Sequence, residues 1–94
     1  MKIAGFRHSE RFAAELRGAP PDVQRRVKEI LDTLAKNPDA RSLRLHALRG
    51  YGKPQLFKVD VFSNHSWQIT LEVEGGLAIL RRLATHRELD RNPR

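Results

Sequence analysis

Five aliphatic residues set the frame of this chain: Val23, Val27, Ile30, Leu31 and Leu34 recur at i, i+4, i+7, i+8 and i+11, which lines one face of an α-helix. The signals around them agree. Pro20-Pro21 cannot lie inside a helix but suits the start of one, Asp22 complements the positive helix end, and Asn37-Pro38 closes the segment. Arg25, Arg26, Lys28, Glu29, Asp32 and Lys36 occupy the remaining faces, so the apolar stripe needs a partner within the same chain.

That partner is read from a change of period. Phe57, Val59 and Val61 alternate with Lys58 and Asp60, and Trp67, Ile69, Leu71 and Val73 alternate with Gln68, Thr70, Glu72 and Glu74. Gly75-Gly76 is a tight hairpin turn, since glycine alone supplies positive φ at both central positions without strain, and Ser63-Asn64-His65-Ser66 has turn chemistry. Leu43 and Leu45 alternate in the same way. A strand beginning at Leu43 puts Arg44 and His46 together on its other face, ahead of a turn at Gly50. Leu77 to Ala84 is apolar on both parities, which leaves its facing open.

Upstream, Ile3 to Phe6 reads as a first or edge strand, and Ser9 caps a short helix through Phe12, Ala13 and Leu16 that stops near Gly18. Downstream, Thr85 caps a helical turn through Asp90, and residues 91–94 are expected to fray. The order describes one α+β domain spanning residues 1–94, with an N-terminal helical hairpin packed on one face of a small, mainly antiparallel sheet. The other face is expected to stay open, carrying Arg44, His46, Lys58, Asp60, Gln68 and Thr70.

Charge says what such a face is for. The chain holds 18 Lys and Arg against 11 Asp and Glu, a net +7, and residues 41–58 contain Arg41, Arg44, Arg49, Lys53 and Lys58 with no acid. This is the electrostatic footprint of a nucleic-acid surface or of a face that docks an acidic protein. With no cysteine, disulfides and thiolate zinc sites are excluded. His8, His46, His65 and His86 show no close i, i+3 or i, i+4 pairing, so no metal or cofactor is expected. No apolar run approaches membrane-spanning length, and a cytoplasmic protein is expected.

Several segments together resemble a known family. They are Phe12…Leu16…Pro20-Pro21 with Val23-Gln24-Arg25-Arg26-Val27, then Ser42-Leu43-Arg44-Leu45-His46-Ala47-Leu48-Arg49-Gly50, the strand Trp67 to Val73, and Ala84-Thr85-His86-Arg87-Glu88-Leu89. Taken in this order and at this separation, they resemble the toxins of the RelE/ParE superfamily from bacterial toxin–antitoxin modules, nearest to the HigB-like and YafQ-like mRNA interferases. The resemblance implies a curved sheet and a metal-independent endoribonuclease that cuts mRNA at the ribosome. It implies a cognate antitoxin whose acidic amphipathic segment covers the basic surface in a hetero-oligomer. His46 and His86 fall where such toxins keep catalytic histidines, and Arg44, Arg49, Lys53, Lys58, Gln68, Arg81, Arg82 and Arg87 are the candidates for holding RNA phosphate.

One departure stands out. Many family members carry arginine directly after the aromatic residue of the fourth strand, where this chain has Gln68, and a neutral amide lacks the charged fork that arginine offers to phosphate. Two other functions therefore stay open: a ParE-like poison of DNA gyrase, against which the histidine pair counts, and a catalytically silent protein that binds an antitoxin or RNA.

Overall fold

A computed structural model describes all of residues 1–94. Strand β1 (Gly5–His8) leads into helices α1 (Glu10–Gly18) and α2 (Pro21–Lys36). A 3-10 turn at Arg41–Leu43 precedes β2 (His46–Gly52), β3 (Gln55–Asp60), β4 (Trp67–Glu74) and β5 (Leu77–Thr85), and α3 (His86–Arg91) follows directly. The sheet runs in the order β1-β5-β4-β3-β2, antiparallel throughout except that β1 lies parallel to β5 at one edge. The helical hairpin thus carries the chain across one face of the sheet, from the β1 edge to the β2 edge.

The helix boundaries follow the local chemistry. Ser9 Oγ accepts the Phe12 N–H at 3.0 Å and donates to the Arg81 carbonyl at 2.7 Å, so one hydroxyl caps α1 and pins it to β5. Val23, Val27, Ile30 and Leu34 of α2 pack with Val59, Ile69, Leu71, Ala78, Leu80 and Leu83 of the sheet, and with Val61 just beyond β3, in one core of 15 residues. Burying a side chain of this size contributes on the order of 2 kcal/mol, which is why this stripe dominates the fold. Gly75 and Gly76, at φ +56° and +82°, make the expected two-residue turn.

The ambiguous strand β5 is explained by a bulge. Thr70 pairs with Arg82, whereas Leu71 pairs with Leu80, so Arg81 is the extra residue. Ala78 and Leu80 before it and Leu83 after it all reach the core, which is possible only because the bulge resets the period. Arg82 and Ala84 then fall on the opposite face, opposite Thr70 and Gln68.

Two expectations are corrected. The strand expected from Leu43 begins only at His46. Leu43 is drawn entirely into the core from a 3-10 turn closed by Leu43 N–H to the Ala40 carbonyl, and Arg44 then takes the left-handed conformation, φ 51° and ψ 43°. The tail expected to fray is instead tied to the face away from the helices. Thr70 Oγ1 donates to the Pro93 carbonyl at 2.6 Å, Arg82 Nη1 to the Asn92 carbonyl at 2.6 Å, and Arg94 Nε to Glu72 at 2.9 Å. With Leu89 buried on α3 and Leu56 and Ala84 buried outside the main core, part of that face is roofed. No helix is long and apolar enough to cross a membrane.

Candidate active site

The unroofed part of the face is a depression of about 590 Å³ lined by Arg44, His46, Lys58, Asp60, Asn64, His65, Ser66, Gln68 and His86, without one hydrophobic residue. Register brings these together. His46 pairs with Lys58 across β2 and β3, and Asp60 pairs with Gln68 across β3 and β4, so both pairs project from one side of the sheet. His86 arrives from the end of β5. Thr85 caps α3, exchanging bonds with the Glu88 N–H at 3.4 Å and the Glu88 carboxylate at 3.1 Å, which fixes His86 as the first helical residue. Its own N–H bonds the Ser66 carbonyl at 3.2 Å and closes the rim.

Asp60 is the hub. Its carboxylate is 3% exposed, and every partner it has lines the depression. Oδ1 accepts from Gln68 Nε2 at 2.8 Å, while Oδ2 bonds His65 Nδ1 and lies 3.3 Å from Arg44 Nε. The Gln68 amide is thereby oriented, with its Oε1 turned toward His86 Nδ1 at 3.1 Å. Because an amide oxygen only accepts, His86 Nδ1 carries a proton in this contact. His86 Nε2 sits 3.2 Å from the Asp90 carboxylate. An imidazolium makes both bonds, and a neutral ring only one.

His46 Nδ1 bonds the Arg44 carbonyl at 2.8 Å, which fixes the Nδ1–H tautomer and leaves Nε2 without a protein partner. Lys58 is 8% exposed and forms neither a hydrogen bond nor an ion pair with the protein, although its residue lines the depression. With no ion pair of its own, this ammonium is free to meet an anion that enters the depression.

Of the residues picked out in the sequence, His46, His86, Arg44, Lys58 and Gln68 converge here. Gln68 does so as a bridge between Asp60 and His86, with both amide groups engaged, so it is not a free phosphate ligand. Arg49 and Lys53 are exposed on β2 and its turn, and Arg87 is exposed on α3; none of them lines the depression. Arg82 is committed to Glu15 at 2.6 Å, beneath the tail. Arg81 sits at the bulge with its Nε buried and unpartnered. His65, in the turn at residues 63–66, also lines the depression and bonds Asp60, a role that no motif of the sequence marks. Only its distance of five residues from Asp60, at the mouth of a turn leaving β3, pointed toward this contact. No group of three or more His, Asp and Glu side chains is arranged to hold a metal ion.

A helical hairpin on one face of a five-stranded mixed sheet is the fold this chain shares with solved RelE and YafQ toxins. No protein-family profile and no curated protein sequence matches the chain. Solved structures do. The Escherichia coli YafQ toxin in its DinJ complex superposes with a TM-score of 0.73 at 17% identity, covering 95% of this chain and 98% of the other. A copper-bound mutant toxin from Helicobacter pylori gives 0.66 at 25% identity, covering 95% and 99%. RelE from the Methanococcus jannaschii RelB–RelE complex gives 0.65 at 22% identity, covering 90% and 95%.

Proposed function

We propose that this protein is the toxin of a toxin–antitoxin module and acts as a metal-independent endoribonuclease on mRNA, at the ribosome. The observation that carries this reading is the gathering of three imidazoles, His46, His65 and His86, around the unmatched ammonium of Lys58, in a depression free of apolar side chains. Cleavage of RNA without a metal needs a base for the 2′-hydroxyl, an acid for the departing 5′-oxygen and a cation beside the phosphorane. The 2′-oxygen attacks phosphorus, the P–O5′ bond breaks, and the products are a 2′,3′-cyclic phosphate and a 5′-hydroxyl.

His86 fits the acid. Gln68 holds its Nδ1–H, so Nε2–H is the proton to deliver, and Asp90 is an exposed partner that a substrate can displace. The base is an imidazole whose Nε2 is unengaged, a description that His46 and His65 both meet. Lys58 and Arg44 supply the positive charge. Gln68 therefore has a use of its own within the network, and it lends no separate support to a gyrase poison.

The partner follows from charge. An antitoxin segment that is acidic and amphipathic complements a +7 chain, and the structural neighbours include toxins solved with the antitoxins RelB and DinJ. The test is primer-extension mapping of an mRNA in a reconstituted translation reaction, with and without ribosomes, for wild type and His86→Ala. Ribosome-dependent cuts absent from the variant support the proposal; intact mRNA in every lane removes it.

A further inference from the structure

We propose that His65, held by Asp60, is the base that takes the 2′-hydroxyl proton in this protein, and that Asp60 is the residue that positions the proton-transfer groups. The assignment rests on the nuclease reading above and goes beyond it, since His65 and Asp60 belong to no recognisable motif of the sequence.

Backbone conformation is the first ground. Two non-glycine residues in the chain have positive φ, Arg44 at 51° and His65 at 64°. Both line the depression, and both approach the same oxygen, Asp60 Oδ2. A side chain other than Gly, Asn or Asp in this region costs about 1 kcal/mol or more, and such strain persists where the surroundings impose it. The turn imposes it here: the His65 N–H bonds the Phe62 carbonyl at 3.0 Å, and the Ser66 N–H bonds the Asn64 side chain at 3.0 Å. The strained turn aims one ring nitrogen at a buried carboxylate.

Electrostatics then separates His65 from His46. A base becomes a cation when it takes its proton. At His65 the new charge forms against Asp60, a full negative charge that is 3% exposed. At His46 it forms against a backbone carbonyl, which is only a dipole, and beside Lys58, its cross-strand neighbour. A carboxylate bonded to the imidazole meets charge formed in the transition state more directly than a carbonyl dipole does, and the His65 ring has no cation paired with it across a strand. Arg44 shares Asp60 Oδ2 at 3.3 Å and offsets part of the advantage at His65, but its side chain is 65% exposed and screened by water. Lys58 is then left for the nonbridging phosphate oxygens.

Proton bookkeeping closes without another reagent. The 2′-hydroxyl proton passes to His65 Nε2, the 2′-oxygen bonds phosphorus, the P–O5′ pair leaves with the 5′-oxygen, and His86 Nε2 supplies that oxygen with its proton. Asp60 serves both ends. Oδ2 holds His65, and Oδ1 orients the Gln68 amide that holds His86.

The experiment is single-turnover cleavage of a ribosome-bound mRNA whose mapped scissile bond carries either the natural 5′-bridging oxygen or sulfur, a leaving group that needs no proton. The central variant is His65→Asn. Asparagine tolerates the left-handed conformation and keeps a donor for Asp60, so the turn stays folded while Nε2 is lost. The expected result is a rate loss of about 10²–10⁴ for His65→Asn on both mRNAs. His86→Ala is expected to regain most of its rate on the sulfur mRNA alone. Asp60→Asn is expected to slow the saturated rate without raising the half-saturating toxin concentration, and its melting temperature is measured alongside. A His65→Asn rate within threefold of wild type, with His46→Ala inactive on both mRNAs, overturns the assignment and leaves the nuclease reading standing. A wild type that cuts neither mRNA overturns both together.

Discussion

The sheet face away from the helices has two ends built from the same strands and the same kinds of residue, and they finish in opposite electrostatic states. At the roofed end the buried polar groups under the tail are matched, Glu72 by Arg94, Thr70 by the Pro93 carbonyl, Arg82 by Glu15 and the Asn92 carbonyl, and the Arg81 Nε at the bulge is the exception. At the open end Lys58 has no partner, and Asp60 is bonded only to residues that themselves face the depression. The C-terminal segment causes the difference, because residues 92–94 return over one end and not the other. Pairing charges stabilises a fold, so groups left unpaired beside a roof that matches its neighbours mark where something other than the protein completes the set.

The comparison predicts that the two ends respond differently to substitution. The largest effect on activity is expected from His86→Ala, a loss of about 10²–10⁴ in cleavage rate. Its side chain is about half exposed, so its thermal midpoint should stay within a few degrees of wild type. Primer extension and a melting curve on one preparation check both. A large drop in the midpoint would mean that the open end also holds the fold together. Next is Lys58→Met, with a rate loss of about 10²–10³ and a stability close to wild type, because Lys58 forms no hydrogen bond or ion pair whose loss would be felt. Destabilisation in urea would show that Lys58 has a structural partner.

Legibility in the sequence follows the same division. Helix α2 was readable because its five aliphatic residues and its prolines point the same way, and β4 because its alternation is unbroken from Trp67 to Glu74. Arg44 and His46 were placed on one side for a reason that fails, a strand from Leu43, yet they do line one depression, because a left-handed residue after the 3-10 turn brings them there. The β5 bulge hid its own strand: Arg81 breaks a period that is otherwise regular on either side. Asp60 was visible on the polar parity, but its role was not, since that depends on the turn that folds His65 back onto it. The docking of the tail is not legible, because Asn92 to Arg94 looks like any polar terminus and only the sheet face beneath supplies Thr70, Arg82 and Glu72 as its partners.

The roofed end should show the reverse pattern to His86 and Lys58. Arg82→Met removes a guanidinium whose side chain is 4% exposed, leaving the Asn92 carbonyl without its donor and the Glu15 carboxylate with only the Leu83 N–H at 3.1 Å. Breaking such a pair costs about 3 kcal/mol, on the order of 15 °C in a domain of this size. Cleavage per folded molecule should stay near wild type, measured below the lowered midpoint. An equal fall in stability and rate at low temperature would show that Arg82 reaches the substrate, as the sequence reading had it.

Thr70→Val is the smallest effect and the finest probe of the boundary between the ends. Thr70 pairs in register with Lys58 on one side and Arg82 on the other, so it stands where the open and roofed halves meet. Valine keeps the shape and removes one hydroxyl, which donates to the Pro93 carbonyl at 2.6 Å. Loss of a buried hydrogen bond with its acceptor left unmatched costs about 1–2 kcal/mol. The urea midpoint should fall accordingly at constant m, since no surface is newly exposed in the native state. If the ends are independent, the cleavage rate is unchanged. A rate loss larger than the stability loss would mean that the tail also sets the position of Lys58, and the line between structure and site would then run through Pro93.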